Sequence, residues 1–251
     1  MKILKGLKAA MDILLPRECV VCGRRLHLDE ERLCLPCWAE LPLTHFWERT
    51  HNSMADKFNE LIEKGADSYM TCGRLERYAY ATALFFYDGA GAYRKIPHQL
   101  KYHGDLSLGR RFGHMLGQKL KHAEHFTDVD AVIPVPLHWT RKWSRGYNQA
   151  EIIASEVAKA LDVPIRNDIL IRNRRTRTQT KIDPKKKAEN VKGAFSAYYD
   201  LSENSAYHHI LLVDDVFTSG ATLHNCFLAM RSILPVSVRI SIATLAFVGS
   251  A

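Results

Sequence analysis

The chain has 251 residues, of which 47% are hydrophobic and 25% charged. That is the composition of one large folded domain or an ordinary one with an appendage, and it excludes a disordered or fibrous sequence. The net charge of +8 favours anionic partners, from nucleic acid to small phosphates, and no run reaches the about 18 apolar residues that a membrane-spanning helix needs.

The first stretch, MKILKGLKAAMDILLP, is amphipathic rather than secretory. Lys5, Lys8 and Asp12 interrupt an apolar core, while Ile3, Leu4, Leu7, Met11, Leu14 and Leu15 fall on one helical face. It is expected to pack as a cap helix on its own domain; a helix lying on a membrane surface fits the same pattern.

Four of the six cysteines follow in CVVCGRRLHLDEERLCLPCW. Cys19 and Cys22 form one C-x-x-C pair, and Cys34 and Cys37 a second. Each pair can set two thiolates on one metal, and two pairs complete a tetrahedral structural Zn²⁺ site with no open position for chemistry. Gly23 permits the tight turn of such a knuckle. Cys226 is expected inside a later helix, as a core residue.

Residues 46–77 are polar and are expected to connect this module (residues 1–45) to a larger domain, with a short helix in HNSMADKFNELIEKG ended by Gly65. From residue 78 to 251 the pattern turns regular. YAYATALFFY predicts a strand, AYRKIPHQLKYHG and SLGRRFGHMLGQKLKHA predict helices, and VDAVIPVPL predicts a strand stopped by Pro134 and Pro136. NQAEIIASEVAKAL predicts an amphipathic helix, and DILIRN a short strand. HHILLVDDV is the continuous apolar run of a parallel strand covered on both faces. ATLHNCFLAMRSIL predicts the next helix and VSVRISIATLAFV a closing strand. Strands alternating with helices specify an open α/β sheet, whose ligands bind at the carboxyl ends of the strands.

Asp214 and Asp215 stand at such an end, before the small residues Thr218, Ser219, Gly220, Ala221 and Thr222. A glycine-containing loop between strand and helix offers N–H groups and a helix dipole to an anion, and the hydroxyls add donors. It is not a Walker A loop, because no lysine follows Gly220 and the glycine spacing differs. Two carboxylates would repel that anion. They suit the neutral hydroxyls of a sugar carrying it, or a metal nearby, so the pattern points to a ribose 5-phosphate.

ILLVDDVFTSGATL resembles the 5-phosphoribosyl 1-pyrophosphate (PRPP) motif of type I phosphoribosyltransferases. VIPVPLHWTRKWSRGYNQA and RTRTQTKIDPKKKAENVKGAF resemble segments of the ComF/GntX family, as do the paired cysteine knuckles. Lys187 stands where that family usually has arginine, Ser219 replaces a common threonine, and a second cysteine cluster is reduced to Cys72. The resemblance implies an open, mostly parallel sheet of the type I phosphoribosyltransferase kind with a small N-terminal zinc module. By position it implies that Asp214 and Asp215 hold ribose hydroxyls and that Thr218 to Thr222 bind the 5-phosphate. Val135, Pro136, Leu137 and His138 would form a pyrophosphate loop, with Arg141 and Arg145 near the leaving group. Gln179, Thr180 and Lys187 would lie on a mobile lid.

The function implied is transfer or binding of a phosphoribosyl group from PRPP with Mg²⁺. The alternatives are a non-catalytic competence factor assisting single-stranded DNA uptake at the inner membrane, where Trp38, Trp47, Trp139 and Trp143 would suit base stacking, or a PRPP-sensing regulator. The expected place is the cytoplasm, at the inner membrane face under the second reading, with peripheral membrane contact, the competence machinery and a homodimer as the partners such a role allows.

Overall fold

The computed structural model describes residues 16–65, 76–87, 91–102, 104–138, 143, 146–173, 193–198 and 207–249. Helix α1 (Leu35–Ala39) lies in the cysteine module, and α2 (Ser53–Gly65) follows it. Then come β1 (Ala81–Tyr87), α3 (Lys95–Tyr102), α4 (Leu106–Lys121), β2 (Ala131–Pro134) and α5 (Gln149–Leu161). The chain continues through β3 (Leu170–Arg172), β4 (Phe195–Ala197), β5 (His209–Phe217), α6 (Ala221–Arg231) and β6 (Arg239–Val248).

Strands β1, β6, β5 and β2 form, in that order, a four-stranded sheet whose neighbours are all parallel. The uninterrupted apolar run of β5 follows from this position, since β5 has a strand on either side and core on both faces. The short strand expected in DILIRN forms, but outside the sheet, in an antiparallel ribbon of β3 and β4. Its three residues put Leu170 in the core and leave Ile171 exposed, the alternation of a strand covered on one side only.

One face of the sheet packs Ile210, Leu212, Ile240 and Ile242 against Phe58 of α2 and Phe227 and Met230 of α6. The other packs Leu211, Val213, Leu245 and Phe85 against Phe112 and Leu116 of α4 and Ile153 and Val157 of α5. Helices α4 and α5 meet closely. A Cβ added at Gly117 would stand 2.6 Å from the Cβ of Ala160, and one at Gly113 3.1 Å from the Cα of Ile153, so glycine at these positions sets the helix separation. Asp105 accepts from the N–H of Leu108 and Asn148 from that of Ala150, capping the two helices.

The stretch read as a connector is built into the core. Met54, Ala55, Phe58 and Ile62 line the buried face of α2, and Asn52 ties the helix start to β1 by donating to the carbonyl of Ala81 at 3.0 Å. The polar residues that gave the connector its character occupy the outer face. The cysteine module also shares a core with the sheet, with Leu33, Cys34 and Trp47 packing in the same cluster as Phe85 and Phe112. Residues 42–44 pair with β1 through Phe86 N–H to Pro42 and Thr44 N–H to Leu84, which covers an edge that β1 would otherwise expose.

Candidate functional site

Parallel strands end on the same rim, so β2 and β5 bring their following loops together. Val135 extends the pairing past the end of β2, its N–H donating to Val213 at 2.8 Å, and its own carbonyl accepts from Asn148 at 3.0 Å. Val135 and His138 are buried and Pro136 and Leu137 partly so. Val135 therefore lies beside Asp214. Arg141, Arg145, Gln179, Thr180, Lys187, Cys72 and the N-terminal amphipathic stretch lie outside the described residues.

Asp214 is partly buried and Asp215 buried. The N–H of Asp215 donates to Asp214 Oδ1 at 2.8 Å, and Lys101 Nζ stands 3.0 Å from Asp215 Oδ2. Burial, followed by the charge of Asp215, pushes the Asp214 carboxyl up to about 7, against the opposing pull of that N–H, Lys101 and Arg172. Burial works against the charge on Lys101, but the two aspartates overcome it and hold the ammonium above its ordinary value.

The chain leaves β5 through Thr218 and Ser219 and enters α6 at Gly220, whose φ of 78° is left-handed. A Cβ at this position would meet Phe217 Cζ at 2.7 Å and Leu61 Cδ1 at 2.8 Å. Glycine is thus required on the protein side, by backbone conformation and by packing. The first-turn N–H groups of α6 have no intrahelical acceptor; that of Ala221 reaches Ser219 Oγ at 3.5 Å. Thr218 is exposed, Ser219 and Thr222 partly so, and Lys57 Nζ donates to the Thr218 carbonyl at 3.3 Å.

The sequence reading missed Lys101 and the groups that fix it. A lysine in a short polar helix reads as solvated, and no local pattern distinguishes this one. The carbonyl of Leu100 accepts from Tyr147 Oη at 2.6 Å and Gln149 Nε2 at 3.5 Å, so the end of α3 is tied to the segment that starts α5. A cavity of about 570 Å³ opens there, lined by Arg94, Lys95, His98 and Lys101 on the helix side and by Val216 and Thr218 on the strand side.

The four cysteines form a second site. Their sulfurs lie within 4.8 Å of one another, with Cys22 and Cys34 Sγ 3.6 Å apart, close to the roughly 3.8 Å edge of a tetrahedron with Zn–S bonds of about 2.3 Å. Burial opposes ionisation of Cys19, but N–H groups of Cys22, Cys34 and Val21 bring its thiol down to about 7. Burial, and then the neighbouring thiols, push Cys37 far up. Four crowded thiols cannot all ionise without a cation, and a divalent one removes the conflict. Gly23 adopts φ 75° at the knuckle. Cys226 is fully buried in the core of α6.

Residues 148–250 match the phosphoribosyl transferase domain model, and residues 10–47 the double zinc ribbon model. The chain is 33% identical over 138 residues to "Competence protein F" of Haemophilus influenzae, covering 54% of this chain and 60% of that protein's length. It is 26% identical over 210 residues to "DNA utilization protein YhgH" of Escherichia coli K12, covering 82% of this chain and 80% of the relative. Among solved structures, the glutamine PRPP amidotransferase of Bacillus subtilis is similar over 55% of this chain and 26% of its own, at 22% identity and a TM-score of 0.34. The α/β fold with a four-cysteine zinc ribbon and a phosphoribosyltransferase domain accords with the resemblance to ComF proteins. Among the described residues no helix is long and apolar enough to cross a membrane.

Proposed function

We propose that this homologue of competence protein F, with its phosphoribosyltransferase domain, binds PRPP across the carboxyl ends of β2 and β5 and transfers or holds its phosphoribosyl group. The carrying observation is the adjacency of two carboxylates, one of them buried, to a strand-to-helix loop that can receive an anion. In this reading the first turn of α6 with Thr218, Ser219 and Thr222 takes the 5-phosphate, and Asp214 and Asp215 accept hydrogen bonds from the ribose hydroxyls. Residues 135–138 lie where a pyrophosphate on the anomeric carbon is received. Breaking the anomeric C–O bond leaves the electron pair on pyrophosphate and positive charge on the sugar, beside the carboxylates, and an acceptor's lone pair completes the transfer. Mg²⁺, when bound with PRPP, supplies positive charge to the leaving pyrophosphate.

Calorimetric titration with PRPP and Mg²⁺ tests this reading: saturable binding that disappears in Asp214→Asn/Asp215→Asn is expected, and no binding by the wild type would end it. Turnover is then tested by an acceptor screen that follows pyrophosphate release.

A second reading, DNA uptake without turnover or alongside it, draws on the relatives' names and on a different surface. A cavity of about 910 Å³ is lined by Trp38, Trp47, Arg111, His114, Lys119 and His122, with Arg111 4.6 Å from the Trp38 ring and Lys119 5.5 Å from that of Trp47. Trp47 is buried and Trp38 stacks on Phe112, so it is the cations of this opening that suit the phosphates of single-stranded nucleic acid. Retention of a labelled single-stranded oligonucleotide, weakened by Arg111→Ala/Lys119→Ala, is the expected outcome; no retention at low salt removes this reading.

A further inference from the structure

Two adjacent carboxylates on one rim repel each other, and a nearby positive charge relieves that repulsion. In this molecule that charge comes from α3. Lys101 Nζ is 3.0 Å from Asp215 Oδ2, with its side chain 32% exposed and that of Asp215 10%. The lysine is not a surface charge that happens to lie near. Its helix end is fixed where the Leu100 carbonyl accepts from Tyr147 and Gln149. Asn148, between those two, donates to the carbonyl of Val135. One hydrogen-bonded unit thus links Lys101, the start of α5 and the proposed pyrophosphate segment. Lys101 also forms part of the wall of the 570 Å³ cavity that reaches Thr218.

We infer that Lys101 is the positioning residue of the carboxylate pair: it holds Asp215 through its ion pair, turns that carboxylate toward the bound sugar, and supplies the positive charge that lets two neighbouring aspartates share one ligand. This rests on the reading of the strand end as a ribose-phosphate site. The lysine remains on Asp215 when ligand binds, because an ammonium drawn away would leave the largely buried Asp215 carboxylate without its ion-pair partner. The groups facing the pair are Lys101 from α3, Arg172 from β3 and Cys226 from α6. Lys101 is in direct contact with Asp215.

The charge on Lys101 also favours ionisation of Asp214, which burial holds at about 7, and this gives the role a signature that packing alone would not produce. The probe is ribose 5-phosphate, titrated calorimetrically from pH 5.5 to 8.5 into wild type, Lys101→Met and Lys101→Arg. In wild type the affinity rises as pH climbs through the range in which Asp214 ionises and becomes a better acceptor for hydroxyls. Ionisation of the ligand's own phosphate is common to all three proteins and cancels in the comparison. Lys101→Met is expected to bind at least tenfold more weakly at pH 7 and to shift the midpoint of the rise to higher pH; Lys101→Arg restores the midpoint. An unchanged midpoint in Lys101→Met, whatever its affinity, overturns the inference.

A second measurement needs no folded methionine variant. In wild-type protein carrying ¹⁵N-labelled lysine, the Lys101 ammonium signal should persist at saturating ribose 5-phosphate, and its loss on saturation would likewise overturn the inference. If wild type binds no ribose 5-phosphate, the ribose-phosphate site itself fails and the inference falls with it. If wild type binds and the Lys101 results are negative, the site stands and the role of Lys101 does not.

Discussion

Asp214 and Asp215 look alike in sequence and differ in what their removal should do. The Asp214 carboxyl is raised to about 7 from an ordinary 3.8. A raised carboxyl favours the fold while protonated, so this stability is fully present below pH 4 and is lost as pH rises through 7. Asp214→Asn should therefore raise the melting temperature at pH 8 by about 2–4 °C, the shift that roughly 1 kcal/mol gives a chain of this size, and change it little at pH 4.5. Asp215→Asn instead strands Lys101 and should lower stability at pH 8. Melting curves of the two single variants at both pH values check this; equal effects would refute it. Gly220 is a poor probe of the anion loop, because any side chain there meets Phe217 and Leu61. Thr222→Val and Ser219→Ala are better. Each should weaken ribose 5-phosphate binding by about 1–3 kcal/mol, the scale of a hydrogen bond to a charged group, with an unchanged melting temperature.

Among the elements, the opposite rim of the sheet is locked by a buried histidine. His209, at the start of β5, bonds Asp128 Oδ1 at 2.6 Å and Ser241 Oγ of β6 at 2.8 Å, and Ser241 Oγ also accepts from the N–H of Tyr80. Desolvation holds the imidazole below its ordinary 6.5 in spite of Asp128. A depressed histidine contributes stability above pH 6.5 that is lost as pH falls, opposite in sign to Asp214. His209→Gln should thus remove the loss of stability that sets in as pH falls below 6.5, read by thermal melting, while Asp214→Asn removes the opposite loss that accompanies a rise in pH from 3.8 to about 7. The cysteine module is coupled to α3 and the turn before it as well, since Lys95 Nζ of α3 donates to the Val21 carbonyl at 2.7 Å and Tyr93 Oη of the turn to that of Cys37. Purified protein is expected to carry one zinc per chain by elemental analysis. Cys34→Ser should release it and speed hydrogen exchange in residues 17–47 and in α3, with β5 and β6 unchanged. Protection retained in α3 would mean that the module folds separately.

For the whole molecule, helices cover both faces of the sheet and its carboxyl rim carries the carboxylate pair. The opposite rim holds the histidine lock. The module and α2 pack on different faces of the sheet, so the part of the chain that precedes β1 stabilises the same core as the strands. Ligand at the carboxyl rim should therefore stabilise the chain as a unit. At 100 times its dissociation constant, PRPP with Mg²⁺ should add about 2.7 kcal/mol to the stability, a single melting transition moved upward. A ligand-induced shift confined to one of two transitions would show instead that the module melts independently.

The local patterns carried most of the architecture. An unbroken apolar run specifies a strand with neighbours on both sides, two C-x-x-C pairs specify a tetrahedral thiolate site, and VDDVFTSGATL places carboxylates and an anion loop within one strand-to-helix turn. These are short-range properties, set by side-chain period and spacing, and so they are legible in one dimension. What tertiary structure decided is long-range. It set the order of the strands, took β3 out of the sheet, and brought the polar-looking stretch around α2 into the core through Met54, Phe58 and Ile62. It also brought Lys101 to Asp215 across 114 residues of chain. A lysine's partner depends on which elements meet at the rim, and on the Tyr147 and Gln149 bonds that fix α3 there. No spacing in the sequence encodes that meeting.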